Sequence, residues 1–465
     1  VLKSKKGAFI MAEDLYEKGN DGNCMRRMMF GLDTLVELDD GRMVPAINLD
    51  NAATTPPFKG VMKEIEDHLR YYGSIGRGKG QKSEYSTEVY IRVRDIIKDF
   101  VGANSDIYTV FYAGNTTDGM NKLASALIEN PSDMVLTTRM EHHANDLPWR
   151  KRAKTVFAEV DDKGRLIVDD VERLLKLHKG KIKYVTITAA SNVTGYVNDV
   201  HYIAKIAHRH GAKIIVDGAQ IVAHREFSML GKTPEENIDF FVFSAHKMYA
   251  PFGSGAVVGL TCELNKHIPK FYGGGMVETV CDDSISYVMA PDLYEAGSPN
   301  YPGIVGMAKA AEILRDIGFE YVRKHEQLLT RRMLDGLKEF PEVILYGDSE
   351  NIYDRIGLTV FNLYGMRPAE VASALAGYRA IAVRHAAFCA HPYVRRLTGV
   401  KEQGDSSCIT PEGMVRVSFG IYNDEADVDA FLAAIKELLY GKHVWKYIKR
   451  KVNSVILENM PYDRG

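Results

Sequence analysis

Between about residues 47 and 300, short continuous apolar runs alternate with stretches of helical spacing. The runs are Met134-Val135-Leu136-Thr137, Tyr184-Val185-Thr186-Ile187-Thr188, Lys213-Ile214-Ile215-Val216-Asp217 and Phe240-Phe241-Val242-Phe243. A strand that is apolar nearly throughout must be covered on both faces. Strands of that kind separated by helices predict the α/β class: a mainly parallel central sheet with helices on both faces. Residues 200–210 show the helical spacing and stop at Gly211, a helix-ending residue.

The pattern changes after about residue 300. Residues 304–314 and 426–439 read as long helices, with strand candidates at 356–361 and 414–419 between them. That mixture predicts a smaller α+β C-terminal domain. The expected division is an N-terminal arm (1–46), a large domain (47–300), a small domain (301–442) and a basic tail (443–465). The arm carries a methionine patch (Met25, Met28, Met29) and a turn at Asp40-Gly41. The tail carries Lys446, Lys449, Arg450 and Lys451, read as a solvated face or a partner surface.

A chain of 465 residues exceeds what one core usually serves. Its 59 Lys plus Arg balance 61 Asp plus Glu, so no general basic surface for nucleic acid is expected. No run approaches the length of a membrane span, and residues 1–10 lack the apolar core of a secretory signal. The five cysteines, Cys24, Cys262, Cys281, Cys389 and Cys408, form no Cys-x-x-Cys pair. They predict a reducing compartment, the cytoplasm, and no structural zinc.

Five segments carry chemistry. In Phe243-Ser244-Ala245-His246-Lys247 an apolar strand runs into a polar loop that ends in a lysine. Such a lysine is costly unless its charge is used or its pKa lowered. It is either a Schiff-base lysine for pyridoxal phosphate or a surface lysine after a strand. In Ile214-Ile215-Val216-Asp217-Gly218-Ala219-Gln220 a buried-looking strand ends in a carboxylate. Asp217 suits a pyridinium nitrogen and Gln220 a phenolic oxygen; a helix-capping aspartate is the plainer alternative. Tyr112-Ala113-Gly114-Asn115-Thr116-Thr117 joins a strand to a helix and offers hydroxyls and free amides, either to a phosphate or simply as a cap.

Glu141-His142-His143-Ala144-Asn145 lacks the partners that would complete a metal site, so no metal is expected; a ring-stacking, proton-shuttling histidine fits better. In Arg384-His385-Ala386-Ala387-Phe388-Cys389-Ala390-His391-Pro392 one cysteine is flanked by cationic residues, which favour a nucleophilic thiolate. A buried structural cysteine is the alternative. Arg416 lies between apolar neighbours, as a carboxylate clamp or an ordinary ion-pair partner.

In this order, from Leu49-Asp50-Asn51-Ala52-Ala53-Thr54-Thr55 to Arg416-Val417-Ser418-Phe419-Gly420-Ile421-Tyr422-Asn423, the segments resemble the cysteine desulfurases of the class V aminotransferase group. These are fold type I enzymes that use pyridoxal 5'-phosphate. The resemblance implies that Lys247 carries the cofactor, Asp217 faces its ring nitrogen and Gln220 its phenolic oxygen, and His142 stacks on the ring. Thr116, Thr117, Ser244 and His246 would hold the phosphate. Ser298, in Glu295-Ala296-Gly297-Ser298-Pro299-Asn300, would complete the phosphate site of a second subunit, which implies a homodimer. Asn192 and Arg416 would hold the carboxylate of L-cysteine. Cys389 would take the sulfur as a persulfide for an acceptor protein or small thiol, with alanine released.

Departures from the family pattern are Asn115 in place of a glycine, the segment Gly76-Arg77-Gly78-Lys79-Gly80 without its usual histidines, and a long span between Cys389 and Arg416. The alternative is another class V reaction on a related amino acid (carbon–sulfur lyase, epimerase or aminotransferase), which needs Lys247 and Asp217 but not Cys389. A non-catalytic interaction protein on the same scaffold needs none of them.

Overall fold

The computed structural model describes residues 22–76, 78–103, 106–400 and 412–441. The first 21 residues, Arg77, Cys408 and the basic tail lie outside the described residues.

A seven-stranded sheet forms the centre. Its strands are β1 (Tyr108–Ala113), β2 (Met134–Thr138), β3 (Lys154–Ala158), β4 (Ile182–Thr188), β5 (Lys213–Asp217), β6 (Phe240–Ser244) and β7 (Gly255–Leu260). Their spatial order is β1-β7-β6-β5-β4-β2-β3. The ladders joining β6, β5, β4, β2 and β3 are parallel, and β7 runs antiparallel to both neighbours. The sheet is therefore mainly parallel.

Alternate side chains of one strand leave by opposite faces, and both faces here are apolar. Ile214, Val216, Phe241 and Phe243 enter one core cluster, while Ile215, Phe240 and Val242 enter another. Helices α1 (Lys59–Leu69), α2 (Gln81–Phe100), α3 (Thr116–Leu127), α4 (Val200–Arg209) and α5 (Tyr301–Ile317) cover them. Val89, Ile203 and Ile304 belong to the first cluster, and Met120 and Leu123 of α3 to the second. Helix α4 begins where the Asp199 carboxylate accepts the Tyr202 amide at 3.0 Å and ends before Gly211, whose φ is 76°. Helix α5 packs on α1 and α2.

A second sheet holds β8 (Val343–Leu345), β9 (Leu358–Leu363), β10 (Arg384–Ala386) and β11 (Met414–Ser418) in the order β8-β9-β11-β10, all antiparallel. Helices α6 (Phe319–Lys338), α7 (Pro368–Arg379) and α9 (Glu425–Tyr440) complete this part, whereas α8 (His391–Thr398) buries Tyr393 and Val394 in the first core cluster. Leu329, Phe361, Val371, Val417 and Phe431 share its core cluster. Strand β9 starts two residues later than the sequence suggests. The amide of Ile356 donates to the Gly195 carbonyl at 2.9 Å, and that of Gly357 to the Glu326 carboxylate at 3.2 Å, so neither enters the ladder.

Within the described part of the arm, Leu35–Glu37 and Met43–Pro45 form the hairpin expected around Asp40-Gly41. Met25 and Met29 are buried in the main core rather than on a free surface. No helix among the described residues is long and apolar enough to cross a membrane.

Candidate active site

The parallel strands end on a common edge, and ligands of open α/β sheets bind outside that carboxyl edge. A pocket of about 310 Å³ opens there. Thr188, Asp217 and Ser244, the last residues of β4, β5 and β6, line it. The second sheet and its loops supply the opposite wall with Arg384, Phe388, Cys389 and Arg416. Of the site residues expected from the sequence, only Ser298 is not in the lining. It is exposed, on a loop anchored by the half-buried Glu295, whose carboxylate accepts the Tyr112 amide and pairs with Arg94, both at 2.7 Å.

Lys247 follows β6 in a single helical turn. Burial, reinforced by the Arg416 and Arg384 charges, lowers its pKa to about 8 against the pull of Asp217 and Cys389. Asp217 is 3% exposed, and burial raises its pKa although the Lys247 charge opposes the shift. Its Oδ1 accepts the Ala219 amide at 2.9 Å. Neither side chain belongs to an ion pair closer than 4 Å among the described residues. A buried carboxylate and a half-buried, desolvated amine, each without a close counter-charge, are costly unless a partner group satisfies them. A protonated pyridine beside Asp217 and a carbonyl carbon on Lys247 would satisfy both. By that test the residues fit pyridoxal phosphate.

Where the sequence leads one to expect a phosphate, α3 begins beside the pocket. The Thr116 amide donates to Ser244 Oγ at 2.7 Å, and the two hydroxyls lie 2.7 Å apart. Asn115, where the family pattern has glycine, has extended backbone (φ −176°) and caps α3 by accepting the Asp118 amide at 2.9 Å. The position does not require a glycine, and the asparagine strengthens the helix start. His246 contacts Thr54 Oγ1 at 3.2 Å, and burial lowers its pKa to about 4, so its ring is neutral.

His142 has a pKa lowered to about 3, first by burial and then by the Lys247 charge. Its Nδ1 accepts the Ala144 amide at 3.0 Å. The ring is therefore neutral and fixed, and only Nε2 is free to exchange a proton. Below it Glu141, raised to about 8 by burial, is held by the Thr138 hydroxyl and Asn145 amide, each at 2.6 Å. Gln220 donates to the Ala52 carbonyl at 2.9 Å, and its Oε1 is buried with no partner.

Arg416 is 2% exposed. One Nη donates to the Asn192 carbonyl at 2.8 Å and the other to Asp50 Oδ1 at 2.9 Å, while its Nε has no partner. Asn192 Nδ2 donates to the Phe388 carbonyl at 2.8 Å. Asn192 thus ties the arginine to the cysteine loop. Sequence reasoning missed Asp50 as the arginine's partner, although it lies in the quoted Leu49–Thr55 segment; the 366-residue separation leaves no local signal. Cys389 is exposed within the pocket wall, and its own φ of 54° is left-handed.

The family model described as aminotransferase class V matches residues 47–431. The chain belongs to this family. A cysteine desulfurase of Haloferax volcanii is 36% identical over 405 residues, 85% of this chain and 90% of that one. A probable cysteine desulfurase of Halalkalibacterium halodurans is 33% identical over 411 residues, covering 86% and 95%. Among solved structures, the apo cysteine desulfurase of Thermococcus onnurineus superposes with a TM-score of 0.76 at 32% identity, covering 85% of this chain and 95% of that one. A cysteine desulfurase of Escherichia coli gives 0.74 at 27% identity, covering 90% and 98%. The class V match spans both sheets and the whole pocket, so the strand-end residues and the cysteine wall belong to one family fold.

Proposed function

We propose that the chain is a pyridoxal-phosphate-dependent cysteine desulfurase that converts L-cysteine to L-alanine and leaves the sulfur on Cys389 as a persulfide. The observation that carries the reading is that Cys389 lines the same pocket as Lys247 and Asp217. The similarity to proteins named cysteine desulfurase over more than four-fifths of the chain supports it.

The bound cofactor would supply an electron sink next to the substrate's α-carbon. Lys247 would hold it, with Asp217 at the ring nitrogen, Gln220 at the phenolic oxygen and His142 over the ring. Thr116, Thr117, Ser244 and His246 would take the phosphate. Arg416, oriented by Asp50 and Asn192, keeps an Nη hydrogen for the substrate carboxylate, and Asn192 keeps one on Nδ2. Lys247, with its lowered pKa, removes the α-proton as a neutral amine. The Cys389 thiolate attacks the substrate sulfur. A sulfur–sulfur bond forms as the carbon–sulfur bond breaks, and the bonding pair stays with the carbon skeleton. A proton delivered to the β-carbon and the return of one to the α-carbon complete alanine, and the sulfur remains on Cys389. The persulfide then passes to an acceptor protein or a small thiol.

We also infer a homodimer. Ser298 is exposed and outside its own chain's pocket, and the exposed Phe271 and Tyr272 precede Gly274, whose carbonyl accepts the Gly297 amide. The free thiols of Cys24, Cys262, Cys281 and Cys389 suit a reducing compartment such as the cytoplasm. The test is a panel of sulfur amino acids on the holoenzyme, scoring alanine and sulfide. Alanine from cysteine in the parent and none in Cys389→Ser supports the reading. Pyruvate or a racemised product, or parent-level alanine from Cys389→Ser, replaces it with a lyase, epimerase or aminotransferase.

A further inference from the structure

The segment that carries Cys389 runs from the last residue of β10 to α8, and three of its residues have left-handed backbone without being glycine. They are Ala386 (φ 85°), Phe388 (φ 51°) and Cys389 (φ 54°). A Cβ disfavours that conformation, so it persists only where surrounding contacts over-determine it. The contacts come from the large body. Asn192 Nδ2 holds the Phe388 carbonyl at 2.8 Å. The His143 amide donates to the Cys389 carbonyl at 2.7 Å. The His143 side chain supplies a third hold: its Nε2 accepts the His391 amide at 3.4 Å. The two imidazole rings lie 4.7 Å apart, inclined at 58°. His143 therefore grips the backbone just after the cysteine's α-carbon, while Asn192 grips it just before. Its backbone holds residue 389 and its ring holds residue 391.

An imidazole nitrogen accepts only when unprotonated. Burial, then the neighbouring His391, lowers the His143 pKa; Asp146 opposes the shift and Arg150 adds to it. The ring is thus neutral with its proton on Nδ1, the tautomer the contact requires. His143 is not among the residues lining the pocket, whereas its neighbours His142 and Ala144 are.

We infer that His143 is a positioning residue for Cys389, clamping the turn from the carbonyl of residue 389 to the amide of residue 391, with the tilted His391 ring packed against the clamp. Sulfur transfer needs the attacking sulfur aligned with the bond it breaks, and small displacements of a reacting group cost large factors in rate. The inference rests on the sulfur-accepting role proposed for Cys389.

The experiment compares holoenzymes of the parent, His143→Ala, His143→Gln and His391→Ala. A glutamine Oε1 reaches the place of the imidazole Nε2 and restores an acceptor; alanine does not. Alanine formation from L-cysteine is expected to fall by about ten- to a hundredfold in kcat for His143→Ala. KM should stay within about twofold, because no ground-state contact with substrate is lost. His143→Gln should recover most of that loss, and His391→Ala should fall between the two. The visible absorbance of the bound cofactor should be the same in all four. A second readout needs no turnover: alkylation of Cys389 by iodoacetamide should quicken by about threefold or more in His143→Ala and stay at the parent rate in His143→Gln. Parent-level kcat in His143→Ala, or equal impairment in the glutamine and alanine variants, overturns the inference. If the parent itself makes no alanine, the proposed function fails, and the alkylation rates alone decide whether His143 holds the loop. Should His143→Ala not fold, His143→Leu, which also lacks the acceptor, takes its place, and parent kcat with parent alkylation rate in that variant overturns the clamp.

Discussion

The two walls of the pocket are built in opposite ways. On one side Asp217 and Ser244 are the last residues of interior strands, and the ladders of a seven-stranded sheet fix them. Lys247 follows within one turn. On the other side Cys389 sits on a loop whose Phe388 and Cys389 are left-handed, held by a few hydrogen bonds from Asn192 and His143. The first wall is rigid because the core is rigid, which suits a cofactor that must be held in one pose. The second wall places a reactive thiol through contacts that can change without disturbing the sheet. Substitutions should therefore separate cofactor retention from sulfur transfer.

The largest expected effect is on the strand side. Lys247→Ala should lower alanine production by about 10²–10⁴-fold, the range for a positioned acid–base group, and should abolish the visible absorbance of bound cofactor. An absorbing, active Lys247→Ala enzyme would break the contrast. The pH dependence of that lysine is the next measure. The neutral amine is the nucleophile, and burial has lowered its pKa from 10.5 to about 8. Capture of added pyridoxal phosphate by the cofactor-free protein, followed by absorbance, should rise about tenfold per unit up to pH 8 and level off above it. A rise that continues toward pH 10 would show an ordinary lysine.

On the loop side, Gly413 has a φ of 90°, and a Cβ there would lie 2.1 Å from the carbonyl carbon and oxygen of Ala386. Gly413→Ala should push the start of the cysteine loop, costing about 1–3 kcal/mol by overpacking. Cofactor absorbance should survive while kcat falls; loss of cofactor would mean that the walls are coupled. The smallest effect is a gain. Ala386→Gly replaces a left-handed alanine, and relief of that strain, less the added chain entropy, should stabilise by up to about 1 kcal/mol, read as a small rise in Tm.

The strand wall was legible in the sequence. Buried strands read as unbroken apolar runs, and a charged residue at the end of such a run is conspicuous; Asp217 and Lys247 both stand there. The helix after Thr116 was legible too, although Asn115 stood where the family pattern has glycine; its extended backbone and cap explain why it fits. The loop wall was legible only as a lone cysteine among cations. Nothing local marks Phe388 and Cys389 as left-handed, because their carbonyls are held by Asn192 and His143, about 200 or more residues earlier in the chain. The Asp50–Arg416 pair was hidden for the same reason: both residues read as individually polar, and only the tertiary fold joins them.

The central claim is that Cys389 receives sulfur in a pocket whose other wall holds the cofactor. The most direct measurement is mass spectrometry of the holoenzyme after brief exposure to L-cysteine without an acceptor. One added sulfur on the peptide containing Cys389, with about one alanine released per active site in the first turnover, is the predicted result. Steady alanine release with Cys389 unmodified, or the added sulfur on another cysteine, would contradict it.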